Sequence, residues 1–166
     1  GNFSGTTVTY TESKVRVLGD VVELVDLPGT YTLTASNPAE QEVLSYLSFN
    51  PVDAIINVLD ASHLAQSLNL TMEVLELGRP TVLALNMMDE ASRFGMSIDG
   101  PKLQELLGVP VLPLVASRGR GGRAVFTTAL QQARQDNVPL RLKYSLDLER
   151  HVQSLAEQID ERVGSL

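Results

Sequence analysis

Thr81-Val82-Leu83-Ala84-Leu85 runs directly into Asn86-Met87-Met88-Asp89. The run is short, apolar and without polar alternation, which is the pattern of a strand buried on both faces of a parallel sheet. In open α/β sheets, ligands bind beyond the carboxyl ends of such strands, so the polar residues that follow are candidate contacts. Residues 21–25 (VVELV) end in the same manner, in Asp26-Leu27-Pro28-Gly29. Each tetrapeptide alone also fits an ordinary turn or loop. Together they point to a GTP-binding domain, because N-x-x-D follows D-x-P-G by 60 positions and each closes an apolar strand. The first motif suits magnesium and phosphate, the second a guanine base.

Working outward, residues 14–18 and 21–25 flank Gly19-Asp20 and predict a hairpin. Asn37-Pro38-Ala39-Glu40 reads as a helix start, with an Asn cap, Pro in the first turn and Glu reaching back. That helix is expected to run to about Ser48. Residues 54–59 (AIINVL) and 111–115 (VLPLV) predict further buried strands, and helices are expected near 64–77, 101–107, 122–136 and 145–163. Strand and helix alternate, so the fold class is α/β: a mostly parallel sheet with right-handed crossovers and helices on both faces. Val138-Pro139 divides a core of residues 1–138 from a helical piece at 139–166.

Composition narrows the partners. A net charge of −7 argues against nucleic acid, whose phosphates must be met by Lys and Arg. The absence of cysteine removes disulfides, Cys metal sites and thiol nucleophiles, and suits a reducing cytosol. No apolar stretch approaches the length of a membrane span, and no signal peptide is visible.

The candidate site residues have distinct chemistry. Asp89 offers a carboxylate to the paired N–H donors of guanine, an edge adenine lacks. Asn86 can tie its loop to a neighbour and reach the base, and Met87 can lie along the ring face. The bland alternative is a helix-capping loop with a solvated Asp89. Asp26 can hold magnesium through water, Pro28 stiffens the turn, and Gly29 admits a backbone N–H close to a terminal phosphate. Gly5-Thr6-Thr7 supplies hydroxyls for a magnesium shell, although Thr-rich stretches more often mark an edge strand. Val115-Ala116-Ser117 can present backbone N–H groups to the guanine carbonyl, with Arg118 and Arg120 as solvated loop charges. Asp60-Ala61-Ser62-His63 reads as a loop or helix cap rather than a nucleophile site, because adjacent residues rarely converge on one atom. Asp99 reads as a helix cap.

Four stretches carry a family resemblance: GNFSGTTV, DLPGTYTLTASNPAEQE, INVLDASHLAQSLNLTMEVLELGRPTVLALNMMDEA and LGVPVLPLVASRGRGG. Over residues 1–125 the chain resembles the G domain of FeoB, the bacterial ferrous iron transport protein B. Met87 is the telling position, since most guanine-binding loops carry Lys there. The resemblance implies a P-loop-NTPase-like GTPase core followed by the start of a helical regulatory domain. It implies that Thr7 senses magnesium in a first switch and that residues 30–42 form a second. Asp26 to Gly29 would then meet magnesium and phosphate, Asn86 to Asp89 guanine, and Val115 to Ser117 the base. No catalytic residue is assigned, with Thr7 and Gly29 in support. Mg2+ is the implied cofactor and K+ an additional one in the intact protein. The implied partners are GTP or GDP and a permease domain of the same polypeptide, and the intact transporter is a candidate oligomer. The implied location is the cytoplasmic face of the bacterial inner membrane, where GTP hydrolysis would gate or regulate Fe(II) uptake.

Thr30 stands where many switch GTPases carry a water-orienting Gln, so slow hydrolysis is expected. The sequence contains no G-x-x-x-x-G-K-[ST] element, which supplies the phosphate cradle in such enzymes. Weak nucleotide binding by this chain alone is therefore expected. Two other readings share the motifs. An RNA- or ribosome-associated GTPase is opposed by Met87 and by the charge. A non-catalytic α/β interaction module derived from a GTPase is the other.

Overall fold

The computed structural model describes residues 10–139, and its chain divides at Asp53/Ala54 into two compact units. In the first, β1 (Thr11–Val17) and β2 (Asp20–Asp26) form an antiparallel hairpin in which Val17 pairs with Asp20 and Thr11 with Asp26. The turn is Leu18-Gly19, one residue earlier than expected, with φ of 49° and 82°. A two-residue turn that matches the twist of its strands needs positive φ at both positions. Gly19 adopts it freely and Leu18 is held there by the ladder, which takes Asp20 into the strand.

α1 (Pro38–Phe49) starts as its sequence predicts. The Asn37 side chain accepts a hydrogen bond from the Glu40 amide at 2.9 Å, and Pro38 opens the first turn. Glu40, Val43 and Leu47 recur at helical spacing and are buried. The Glu40 carboxylate does not return to the cap residue as expected but reaches beyond it, to Ser36. The Tyr10 and Tyr46 rings meet edge to face with centroids 4.9 Å apart.

The second unit runs β3 (Ile55–Asp60), α2 (Leu64–Glu76), β4 (Thr81–Asn86), α3 (Met88–Arg93), α4 (Gly100–Leu107), β5 (Val111–Pro113) and α5 (Gly122–Arg134). Its three strands are all parallel, in the order β3-β4-β5. β4 is the central strand, and every residue from Thr81 to Leu85 is buried. Its alternate side chains feed two cores. Leu83 and Leu85 pack with Leu64 and Leu68 of α2 and Leu103 and Leu107 of α4, whereas Val82 and Ala84 pack with Val125 and Ala129 of α5. Helices therefore cover both faces, as the absence of alternation in TVLAL requires.

β3 departs from its expected uniform burial: Val58 is 52% exposed. The α5 core meets this strand only through Ala54 and Ile56, so the next position on that face is left open. On the opposite face Asn57 is buried, its Oδ1 accepting from the Thr71 hydroxyl of α2 at 2.6 Å. β5 stops at Pro113, two residues early, because Val115 turns away to bridge with Arg120. α3 was not expected, since six residues are too few to show a helical period. Asp99 caps α4 by accepting from the Lys102 amide at 3.0 Å, and Gly108 ends that helix in the left-handed region. Gly5, Thr6, Thr7 and the helix expected at 145–163 lie outside the described residues. No helix among the described residues is long and apolar enough to cross a membrane.

The double burial of β4 makes a quantitative contrast. Leu83→Ala should lower the unfolding free energy by about 2–5 kcal/mol, while Val58→Ala should change it by less than about 0.5 kcal/mol. Urea titrations of the two variants check this, and equal losses would contradict the packing described.

Candidate functional site

The parallel register brings the ends of two strands level, with Asp60 of β3 opposite Asn86 of β4. Asn86 Oδ1 accepts a hydrogen bond from the Ala116 amide at 3.1 Å. A residue after β4 is thus tied to the loop after β5, thirty positions away in sequence. Met87 then adopts the left-handed conformation, φ 62°, which costs a non-glycine residue about 1–2 kcal/mol. That reversal starts α3 at Met88 and puts Asp89 in its first turn. Met88 packs against the larger core, which anchors the short helix. Asp89 is half-buried, and its carboxylate has no hydrogen-bond partner among the described residues.

The opposing loop is shaped by backbone geometry. Val115 and Arg120 exchange two backbone hydrogen bonds, at 2.8 and 3.1 Å, around the tight turn Ala116–Arg118. Gly121 has φ 89°, and a Cβ there would collide with the Pro113 carbonyl oxygen. Only glycine fits. The structure therefore ties Asn86 to Ala116, in the middle of the candidate segment Val115-Ala116-Ser117.

In the first unit, Asp26 is the exposed last residue of β2, and its carboxylate also has no partner among the described residues. Leu27 and Pro28 follow half-buried. A Cβ built on Gly29 would meet nothing within 4 Å, and its φ is not left-handed. The fold itself does not demand glycine at this position.

Sequence reasoning gave Glu40 no role beyond its cap, yet it organises the loop that follows. Its Oε1 accepts from the Thr32 hydroxyl at 2.7 Å. Its Oε2 accepts from the Thr34 hydroxyl at 3.1 Å and from the Ser36 amide and hydroxyl at 2.8 and 2.6 Å. These bonds, that from the Ser36 hydroxyl first and that from Thr32 next, hold the carboxyl at about 2 against the opposing effect of burial. The signal was present in TLTAS: hydroxyls at alternate positions ahead of a helix-opening carboxylate. Thr30 turns its hydroxyl inward as well, donating to the Thr32 carbonyl at 2.8 Å.

The Asp60–His63 segment is a local cap. Asp60 Oδ1 accepts from the Ser62 amide at 2.9 Å and its hydroxyl at 2.5 Å, and Oδ2 faces His63 Nδ1 at 3.1 Å. Burial opposes the charge on Asp60, but hydrogen bonds from Ser62 and His63 outweigh it and lower its pKa. No group of three or more His, Cys, Asp or Glu among the described residues is placed to hold a metal ion.

A sequence profile described as "Ferrous iron transport protein B" matches residues 1–129. The chain belongs to that family. It is 41% identical over 161 residues to the Fe(2+) transporter FeoB of Salmonella typhimurium, covering 95% of this chain and 21% of that protein. Among solved structures it resembles the cytosolic domain of L. pneumophila FeoB, with a TM-score of 0.76 and 37% identity, over 98% of this chain and 64% of that one. It also resembles the cytosolic domain of T. maritima FeoB in a GMPPNP form, with a TM-score of 0.77 and 34% identity, over 87% and 57% of the two chains. The chain spans about a fifth of the length of the curated FeoB relatives it matches. The α/β GTPase core expected from sequence is therefore the FeoB G-domain fold.

The Glu40 cluster yields a pH dependence. A folded-state value near 2, below the ordinary 4.5, means the carboxylate contributes stability above pH 4.5 and loses it as pH falls toward 2. The stability difference between wild type and Glu40→Gln should be constant above pH 4.5 and shrink below it. Urea unfolding across that range checks it, and a difference that grows on acidification would reverse the sign.

Proposed function

We propose that this chain is the guanine-nucleotide-binding part of a ferrous iron transporter, and that its GTP hydrolysis gates or regulates Fe(II) uptake at the cytoplasmic membrane face. The observation that carries the base assignment is the Asn86–Ala116 bond beside an Asp89 carboxylate that has no hydrogen-bond partner among the described residues. It joins the two loops that would surround a base and leaves one carboxylate to read the two donors on guanine. A base lacking those donors would strand that carboxylate once water is excluded. Support for nucleotide comes from the relative solved in a GMPPNP form.

Asp26 fits a magnesium ion held mainly by phosphate oxygens and water, because a single carboxylate with free acceptors is what such a site takes from protein. Magnesium would neutralise charge on the phosphates; Thr7 is the second protein group the family resemblance offers it. The potassium site implied by the same resemblance involves residues other than those described. Gly29 supports a phosphate contact, since nothing among the described residues lies within 4 Å of a Cβ built there. The Thr30 hydroxyl donates into its own loop rather than toward a water at Gly29, and a threonine lacks the amide with which Gln orients the attacking water. Hydrolysis is accordingly slow, with water held by backbone groups. In the intact protein the partners are GTP or GDP and the permease.

Two substitutions test these assignments in the intact transporter. Asp89→Asn should shift preference from guanine toward xanthine nucleotides, measured by competition binding; unchanged GTP preference would sink the role of Asp89. Gly29→Ala should leave stability within about 1 kcal/mol of wild type while weakening discrimination between GTP and GDP. A variant that unfolds would show that the glycine serves the fold instead.

A further inference from the structure

Residues 30–36 hold two features that a loop settled by its own preferences would not combine. Ala35 sits in the left-handed region with φ 58°, a conformation alanine avoids and glycine accepts. Around it Thr32, Thr34 and Ser36 all turn toward one buried carboxylate, that of Glu40. Gln41 adds a bond from its side-chain amide to the Ala35 carbonyl at 3.2 Å. The strain lies in the backbone of the loop, and the bonds that oppose it converge on the first turn of α1.

We propose that Glu40 is a positioning residue that latches residues 32–36 in a wound state, and that any nucleotide-driven movement of this loop requires its hydroxyls to leave Glu40 together. The second clause rests on the reading of the loop after Asp26-Leu27-Pro28-Gly29 as nucleotide-sensitive; the latch itself does not. Charge makes the latch effective, because each of the four donors meets an ionised acceptor, and such bonds are stronger than neutral ones. Their shared acceptor makes it cooperative: withdrawing the carboxylate releases Thr32, Thr34 and Ser36 from α1 at once and leaves the strained Ala35 tied to the helix by the Gln41 bond. A glutamine substitutes only in part. Its one oxygen cannot serve both the Thr32 side and the Thr34–Ser36 side, and its nitrogen faces donors at the other. The bonds that remain lose their charge assistance.

The test is amide hydrogen exchange on the full chain without nucleotide. In Glu40→Gln, protection at Ser36 and neighbouring loop amides should fall about tenfold or more, while the β1–β2 ladder and α2 keep theirs. Ala35→Gly added to that variant should restore part of the loss, because glycine removes the strain that drives unwinding. Thr32→Val with Ser36→Ala, which leaves the helix start intact, should give a smaller loss at the same amides. Unchanged protection at Ser36 in Glu40→Gln would overturn the latch. So would a uniform loss across β1, β2 and α1, which would make Glu40 a general support of the unit. Repeating the exchange on the intact transporter with GMPPNP reads the switch assignment separately: a latch that responds to Glu40→Gln but not to nucleotide would refute that reading alone.

Discussion

The structure of the second unit depends on one constraint: β4 is buried on both faces. A strand with no solvated face must carry apolar side chains at every position, must be paired on both edges, and must have helices packed above and below. Each requirement is visible. β3 and β5 supply the edges, the Leu83 and Leu85 side supports α2 and α4, and the Val82 and Ala84 side supports α5. Once β4 is fixed this firmly, its last residue is fixed as well. Asn86 emerges from the sheet with almost no freedom of position, which a residue needs if a single amide oxygen is to hold another loop at 3.1 Å.

Strain appears in the turns and loops that follow strands. Met87, Ala35 and Leu18 all have positive φ, and none is a residue that adopts it cheaply. Leu18 is explained by the hairpin twist. Met87 and Ala35 each follow one of the two strand-ending motifs and are held by side-chain bonds nearby, Asn86 to Ala116 in one case and the Glu40 cluster in the other. Backbone strain persists only where surrounding contacts over-determine it, and it gathers at ligand and switch segments.

What was legible in the sequence follows from the range of the forces involved. Strand 81–85 declares itself because every residue is buried, strand 54–59 because its apolar run is bounded by polar residues, and Asn37-Pro38, Asp99 and Gly108 because capping is local. The N-x-x-D loop was readable as a motif, and Asn86 was expected to tie it to a neighbour; that the neighbour is Ala116 came from the structure. Hidden were facts set by tertiary contact. Val58 looks like its strand neighbours but lies beyond the reach of α5; β5 ends early because Val115 pairs with Arg120; α3 exists because Met87 reverses the chain and Met88 anchors it. The role of Glu40 was half legible. Its position in a cap motif was seen, but the three hydroxyls that divert its carboxylate act across a loop whose shape no local rule supplies.

The carboxylates sort by what occupies their oxygens. Asp60 and Asp26 both close strands, and Asp99 and Asp89 both stand at helix starts. Asp60 is engaged by Ser62 and His63, and Asp99 by the Lys102 amide, so each completes local structure. Asp26 and Asp89 accept nothing from the described residues. Asp89 still favours the amino-terminal end of α3 through the helix dipole, but neither carboxylate completes a hydrogen bond that the fold needs. Both keep their carboxylate oxygens open, and that is the property on which the proposed magnesium and guanine contacts rest. Hydrogen-bond occupancy therefore separates the carboxylates that complete local structure from those left open to a ligand.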